Sequence, residues 1–152
     1  MIKFKNVGDF KNARNIGTVA TPIELTNGKL VTLDKIAGTM ALPTADTAKG
    51  SLWVVMNERE SIPYVGTTDD YVVNVGECPR LFDVTTLKGA TLEMNDKCLT
   101  TKYVDIAEGD TLVADTNGNF TKVSDATGYE TSFTVIKKTS YGGNGLEVAV
   151  NA

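Results

Sequence analysis

The sequence predicts a mainly β protein, a small antiparallel β-barrel or sandwich with an extended N-terminal arm. Turn-forming residues recur about every 8 to 15 positions, and β-prone segments lie between them. The segment 52–56 is an unbroken apolar run that contains the only Trp. It is too short for a helix and rich in β-branched and aromatic residues, so we expect a strand buried on both faces.

Length and charge limit the range of partners. At 152 residues the chain fits one ordinary domain, or one domain with an arm. A net charge of −4 argues against nucleic acid as a main partner, because phosphate binding relies on clustered Lys and Arg. No apolar run reaches the roughly 18 residues of a membrane span, and the first residues show no secretory signal. We therefore expect no nucleic-acid partner and no membrane.

The residues that most often carry chemistry are missing or wrongly spaced. No His is present, which removes the commonest general base, the commonest zinc ligand and the usual partner of a nucleophilic Ser or Cys. The loop 115–119 lacks the Gly and Glu positions of an EF-hand, and the glycines at 142–145 precede a strand instead of a helix. The acidic pairs at 58/60 and 69/70 are interpreted as solvated loop charge. We expect no enzyme activity, no cofactor and no metal, although a tertiary pair of carboxylates suited to glycoside cleavage stays open.

The chain divides into two predicted parts, an N-terminal arm at residues 1–24 and a β-rich domain at residues 25–152. Gly8, Gly17 and Pro22 interrupt the first part, and neither helical nor strand periodicity persists there. Two interpretations stay open: a frayed terminus, or an arm that orders on a partner. The second interpretation predicts four basic and two aromatic partner-binding residues, which are Lys3, Phe4, Lys5, Phe10, Lys11 and Arg14.

The clearest local pattern in the domain is Asn27-Gly28. It lies between two β-prone runs, 23–25 and 30–33. Asn-Gly in that setting is typical of a type I′ hairpin, in which both turn residues have positive φ. We therefore expect these two runs to pair with each other.

Further strands are predicted where apolar residues alternate with polar ones or form short runs between turns. Residues 46–50 are expected to form a turn into the buried strand, with a short helix at 44–49 that is N-capped by Thr44 as the alternative. The turn 115–119 is expected to join two strands. The predicted strands after the buried one are 71–75, 80–84, 103–106, 111–114, 120–123, 129–137 and 146–150.

The two cysteines, Cys78 and Cys98, lie 20 residues apart without C-x-x-C spacing. Two cysteines are too few for a disulfide scaffold. We expect two reduced, half-buried thiols, and a cross-strand disulfide stays open.

Four segments are distinctive in the order and composition of their residues. They are 41–57 (ALPTADTAKGSLWVVMN), 71–77 (YVVNVGE), 108–113 (EGDTLV) and 139–146 (TSYGGNGL). In these segments, which are spread over roughly residues 39–150, the chain resembles the capsid auxiliary proteins of tailed bacteriophages, that is, decoration (cement) or head-fibre proteins.

The resemblance implies a non-enzymatic protein on the outer capsid surface that clamps neighbouring major capsid subunits after shell expansion. The implied partner is the major capsid protein, with a second copy of the chain or other virion proteins as further partners. The implied location is the virion, after synthesis in the host cytoplasm. Binding only to the assembled lattice would stabilise it by mass action, and multivalent seating would add avidity.

Two alternatives to a decoration protein stay open. One is another virion component, such as a tail, fibre or adaptor protein. The other is a carbohydrate-binding β module in which Trp53 and tyrosines form a stacking platform. The apolar neighbours of Trp53 favour a core position for it, so we expect the functional surface in the arm and in the loop 57–70.

Overall fold

The computed structural model describes residues 2–10, 13–57 and 71–152, and of Val7 and Phe10 it describes the backbone. Within these residues three antiparallel sheets are present. The six-stranded sheet contains, in spatial order, β1 (Ile2–Phe4), β9 (Thr91–Asn95), β13 (Gly145–Asn151), β12 (Ser132–Thr139), β10 (Thr111–Ala114) and β11 (Phe120–Val123). The five-stranded sheet contains β2 (Asn15–Ile16), β8 (Leu81–Asp83), β6 (Trp53–Val55), β4 (Leu30–Asp34) and β5 (Thr39–Ala41). The two-stranded sheet pairs β3 (Leu25–Thr26) with β7 (Val72–Val73).

Helices are few and short in the described residues. They are α1 (Val7–Phe10) and the 3₁₀ helices Thr47–Lys49, Val84–Leu87, Asp96–Cys98 and Tyr103–Asp105. The mainly β class with antiparallel sheets, predicted from the sequence, is confirmed.

Strand β6 and its flanking residues send alternate side chains into two different hydrophobic cores. Leu52, Val54 and Met56 belong to a larger core, whereas Trp53 and Val55 belong to a smaller one. All five are buried, with relative exposures of 5% or less. Successive side chains of a strand point to opposite faces, so the five-stranded sheet is a middle layer. The predicted strand with two buried faces is confirmed.

The neighbouring strands of the middle layer follow the same division. In β4, Leu30 points into the larger core and Val31 into the smaller one. In β8, Phe82 and Leu81 divide in the same way. The larger core therefore lies between the six-stranded and five-stranded sheets.

The smaller core lies on the opposite face of the middle layer. The two-stranded sheet covers it through Leu25 and Val73, and the preceding chain covers it through Val19. Trp53 is the largest side chain in this core. It thus lies at the centre of the second, smaller core and not of the larger one.

The described part of the N-terminal segment lies along both large sheets. Ile2 is buried in the larger core, and the Phe4 ring meets the Phe82 ring edge-on with centroids 5.3 Å apart. Strand β1 pairs with β9, and β2 pairs with β8. Downstream, the Thr21 backbone N–H donates to the Glu77 carbonyl at 2.8 Å. These contacts tie the described residues of the segment to both large sheets.

The predicted hairpin at Asn27-Gly28 is wrong. Strand β3 pairs with β7, while β4 pairs with β5 and β6. Gly28 has φ of 94°, but Asn27 does not have positive φ, so the turn is not type I′. The Asn27 side chain is instead buried, where it accepts from the Asn57 N–H at 2.8 Å and donates to the Asn57 carbonyl. These bonds tie the turn to the end of β6 and direct the chain from one sheet to another.

The predicted strand 103–106 is also wrong, because Tyr103–Asp105 is a 3₁₀ helix. The alternation there reflects one buried residue, Ile106, beside an exposed Val104. The short helix considered for 44–49 is present as the 3₁₀ helix Thr47–Lys49, but its N-cap is Asp46 and not Thr44. Thr44 Oγ1 accepts from the Thr47 N–H one residue further along. The other strands predicted after the buried one are confirmed, with ends shifted by 3 residues or fewer.

The predicted hairpin β10–β11 is confirmed, and its tip joins the two large sheets. Asp115 Oδ1 accepts from the N–H groups of Asn117 and Asn119 at 2.8 and 2.9 Å. The Gly118 carbonyl accepts from the Leu30 N–H at 2.7 Å, at the start of β4. Lys29 Nζ also donates to the Asn117 carbonyl at 2.9 Å. The tip of one sheet is thus bonded to the backbone of the other.

This junction predicts that Gly118→Ala is more destabilising than Gly38→Ala. Both glycines have positive φ, 70° and 65°, so both substitutions carry backbone strain of about 1–2 kcal/mol. A Cβ at Gly118 would lie 2.4 Å from the Leu30 carbonyl oxygen, whereas a Cβ at Gly38 would meet nothing within 4 Å. We expect Gly118→Ala to cost about 1–3 kcal/mol more in urea unfolding. Equal losses for the two variants would contradict this junction.

Candidate functional site

Four charged side chains form a row across the outer face of the six-stranded sheet. Lys3 lies opposite Glu93, Glu93 opposite Glu147, and Glu147 opposite Lys137 in the strand registers. The strand residues on either side of Lys3, Glu93 and Glu147 point into the larger core. Alternation along the strands therefore brings these three charges to the outer face.

Lys5, which follows β1, completes the cluster. Glu93 Oε2 lies 3.3 Å from the Nζ atoms of both Lys3 and Lys5. Glu147 Oε2 lies 3.5 Å from Lys5 Nζ and 3.4 Å from Lys137 Nζ. We call these five residues the lysine–glutamate row.

The lysines of the row cover its carboxylates. The side chains of Glu93 and Glu147 are 7% and 12% exposed, whereas that of Lys137 is 53% exposed. Lysine stems lie over a surface while their ammonium groups stay in water. The Lys3 Nζ also lies 4.3 Å from the centroid of the Tyr141 ring, in cation–π range. The solvent thus meets mainly ammonium groups here, although the whole chain has a net charge of −4.

The row keeps Glu93 ionised. Burial alone raises the pKa of its carboxyl, but hydrogen bonds from Lys5, Lys3 and Thr139 outweigh burial and hold that pKa below its ordinary value of 4.5. The hydrogen bond with Glu93 is also the main reason why the pKa of Lys5 lies above its ordinary value of 10.5. A general acid at neutral pH needs the opposite shift. Glu93 therefore has the properties of a fixed anion in a charge network.

The six residues predicted to bind a partner are placed differently from one another. Lys3 and Lys5 belong to the lysine–glutamate row, and Phe4 points to the other face of the sheet, against the larger core. Arg14 is exposed, and its backbone N–H donates to Thr86 Oγ1 at 3.1 Å. Lys11 and the side chain of Phe10 lie outside the described residues. The structure thus brings two of the six together on one face.

Trp53 is not accessible as a stacking platform. Its side chain is 2% exposed, and Lys35 lies over it with Nζ 4.8 Å from the ring centroid. Lys35 Nζ is also 3.8 Å from Asp83 Oδ2. The expectation that Trp53 is a core residue is confirmed. Most of the loop 57–70, where we expect a functional surface, lies outside the described residues.

Both cysteines are free thiols, as expected. The expectation that both are half-buried is wrong, since Cys78 is exposed and Cys98 is buried. Cys98 occupies the space that Gly28 leaves open, because a Cβ at Gly28 would lie 2.4 Å from its Sγ. The sequence spacing of the two cysteines gave no sign of this contact.

Three large apolar side chains project from hydrogen-bonded turns, and sequence patterns did not identify them. Ile36, at the β4–β5 turn, is fully exposed, and Val75 and Val104 are 63% and 77% exposed. Asp34 Oδ1 accepts from the N–H of Ile36 at 2.9 Å and so holds the first turn. The position of Ile36 between Asp34 and Gly38 was the available signal, because turn residues point to solvent.

A shallow cleft of about 410 Å³ lies where β12 begins and β13 ends, lined by Lys88, Tyr129, Ser132 and Asn151 among others. Asn151 Nδ2 donates to Thr134 Oγ1 at 2.8 Å, so the side-chain NH₂ group of Asn151 already has an acceptor.

Within residues 2–10, 13–57 and 71–152, no three acidic or Cys side chains are grouped so that they could hold a metal ion. In the same ranges, none of the helices has the length and apolar character to cross a membrane.

Comparison with protein-family models, with curated proteins and with solved structures found no match for this chain. Its functional assignment therefore depends on its own residues and geometry.

The lysine–glutamate row predicts a pH-dependent effect of Glu93→Gln. The pKa of Glu93 is lowered in the folded state, so its contribution to stability is present above its ordinary pKa of 4.5 and is lost as pH falls through the folded-state value. We expect the variant to be about 1 kcal/mol less stable at neutral pH, a modest loss because the lysines are partly exposed. The difference should vanish at low pH in urea unfolding experiments.

Glu130→Gln is the matched control, because Glu130 is exposed and the change in net charge is the same. We expect this control to shift stability by less than about 0.5 kcal/mol at every pH. A loss in Glu93→Gln that is the same in acid and at neutral pH would show that the loss does not come from the charge.

Proposed function

We propose that this chain is a non-enzymatic structural protein of a tailed-phage virion, which binds the outer capsid surface and stabilises the lattice of the major capsid protein. The proposal starts from the resemblance carried by the four segments 41–57, 71–77, 108–113 and 139–146. These segments include the doubly buried strand β6 and the turns that precede β10 and β13. The four segments thus belong to the β framework of the protein. Binding to a capsid would depend on the side chains at its surface.

The observation that carries the proposal is the set of exposed apolar side chains on hydrogen-bonded turns. Ile36, Val75 and Val104 each have more than half of their surface in solvent. The Val104 turn is closed by a bond from the Asp105 N–H to the Lys102 carbonyl at 2.9 Å. Apolar side chains held in fixed positions lose little entropy on binding, so they are suited to act as anchors in a protein interface.

The β framework supports a clamping role because two features make it rigid. The middle layer has packed cores on both faces, and the β10–β11 tip is bonded to β4. A rigid binder transmits its binding free energy to the lattice that it spans, and a protein that binds only the assembled lattice stabilises it. Many copies on one shell would add the advantage of multivalency.

The direct test is to purify particles of the phage that encodes the chain, with and without its gene. We expect a fixed number of copies per particle in quantitative mass spectrometry. Particles that lack the chain should release their DNA at a lower temperature, and added purified protein should restore the release temperature. Purified protein should bind expanded shells and not unexpanded ones.

Other outcomes would overturn the proposal in distinct ways. Absence of the chain from washed particles would exclude a virion role. Immunogold label on the tail alone would favour a tail, fibre or adaptor protein. Equal affinity for unexpanded and expanded shells would remove the clamp mechanism. Binding to a glycan array without particle binding would favour a carbohydrate-binding module.

A further inference from the structure

The edges of the two large sheets differ in how they are protected. Three edge strands of three or more residues are present in the described part of the chain, namely β1, β11 and β5. An edge strand presents unpaired backbone N–H and C=O groups, so proteins usually cover or charge such edges. An unprotected edge is therefore a candidate for pairing with another polypeptide.

Two of the three edges are protected. Strand β1 contains Lys3 and is followed by Lys5, and charged lysines oppose edge-to-edge pairing. Strand β11 is covered by the segment 99–101: Leu99 bridges to Phe120, and the Thr100 N–H donates to the Phe120 carbonyl at 2.9 Å. Further along, the Lys122 N–H donates to Thr101 Oγ1 at 2.9 Å.

The third edge strand, β5, has neither a charged residue nor a covering segment in the part of the chain that the structure describes. Its only strand partner among the described residues is β4. No charged residue occurs from Ile36 to Ala45, a stretch that includes the whole strand. Met40 is buried in the smaller core and fixes the strand, whereas Thr39 and Ala41 are exposed. The edge is thus uncharged, anchored and open to solvent.

The turn that precedes β5 is fixed as well. Asp34 Oδ1 accepts from the N–H groups of both Ile36 and Ala37 at 2.9 Å. Ile36 is fully exposed beside the free edge. An incoming strand would therefore meet a preformed edge with an apolar side chain next to it, and little ordering would be needed on this side.

We propose that the open edge of β5 accepts an extended, uncharged strand of a partner protein, which continues the five-stranded sheet. Backbone donors and acceptors along an edge match an extended polypeptide and no other common ligand. Three residues bury far less than the roughly 800 Å² per partner of a stable interface, so we expect the edge alone to bind weakly, and pairing with a second copy is one of the outcomes of the test. The inference concerns the edge itself and holds whether or not the partner is a capsid protein.

The test is an NMR titration of the ¹⁵N-labelled full chain with a defined probe. The probe is the pentapeptide Thr-Val-Thr-Val-Thr with acetylated and amidated ends, and the control is the same peptide N-methylated at every residue. We expect millimolar probe to shift the amide signals of Thr39, Met40 and Ala41, at least about fivefold more than the control peptide does, because N-methylation removes the donors.

Variants of the edge complete the test. Thr39→Lys combined with Ala41→Lys places charge on two exposed positions of β5 and should abolish the shifts. Ala45→Lys combined with Ser51→Lys adds the same charge at exposed positions outside the strand and should preserve them. The proposal is overturned if no shifts occur, if both peptides act equally, or if the shifts fall on another strand. Shifts at β5 on raising protein concentration alone would assign the edge to a second copy instead.

Discussion

The burial of both faces of strand β6 is the constraint on which the rest of the structure depends. A strand with apolar side chains on both faces must be covered twice. The six-stranded sheet covers one face, through a core that includes Leu52 and Val54, and the two-stranded sheet with the preceding chain covers the other, over Trp53. The position of the N-terminal segment is explained by the same requirement, since Ile2 is buried in the larger core and Val19 in the smaller one. The described parts of the N-terminal segment are thus packed into the cores on both faces of the middle layer.

The charges are arranged around this apolar framework. Glu93 and Glu147 lie between residues that point into the larger core, so their own side chains lie on the outer face of the sheet, where they are largely buried. Buried carboxylates are costly unless they are paired, and Lys3, Lys5 and Lys137 supply the pairing. Two of the basic residues that sequence patterns assign to a partner therefore have partners within the chain. Their exposed ammonium groups still give this face a positive character.

The sequence predicted the strands that have a local cause. The run 52–56 is doubly buried because it has no polar face, and the β10–β11 turn contains residues that favour a tight turn. It failed where tertiary contacts override a local pattern. Asn27-Gly28 has the composition of a hairpin, but bonds from Asn27 to Asn57 direct the chain to another sheet. The lysine–glutamate row brings together residues from strands far apart in sequence, so the spacing of charged residues along the chain could not reveal it. A single Glu in each apolar strand was the available hint.

Native-state hydrogen exchange tests the central role of β6 most directly. The Val55 N–H donates to the Lys29 carbonyl at 2.8 Å and the Met56 N–H to the Arg80 carbonyl at 3.0 Å, so these two amides join the central strand to both of its neighbours. If β6 is the shared element of both cores, these amides exchange only through global unfolding, with a free energy equal to that from denaturant unfolding. Exchange of Val55 and Met56 at a much lower free energy than that of the six-stranded sheet would contradict this account, because the middle layer would then open independently.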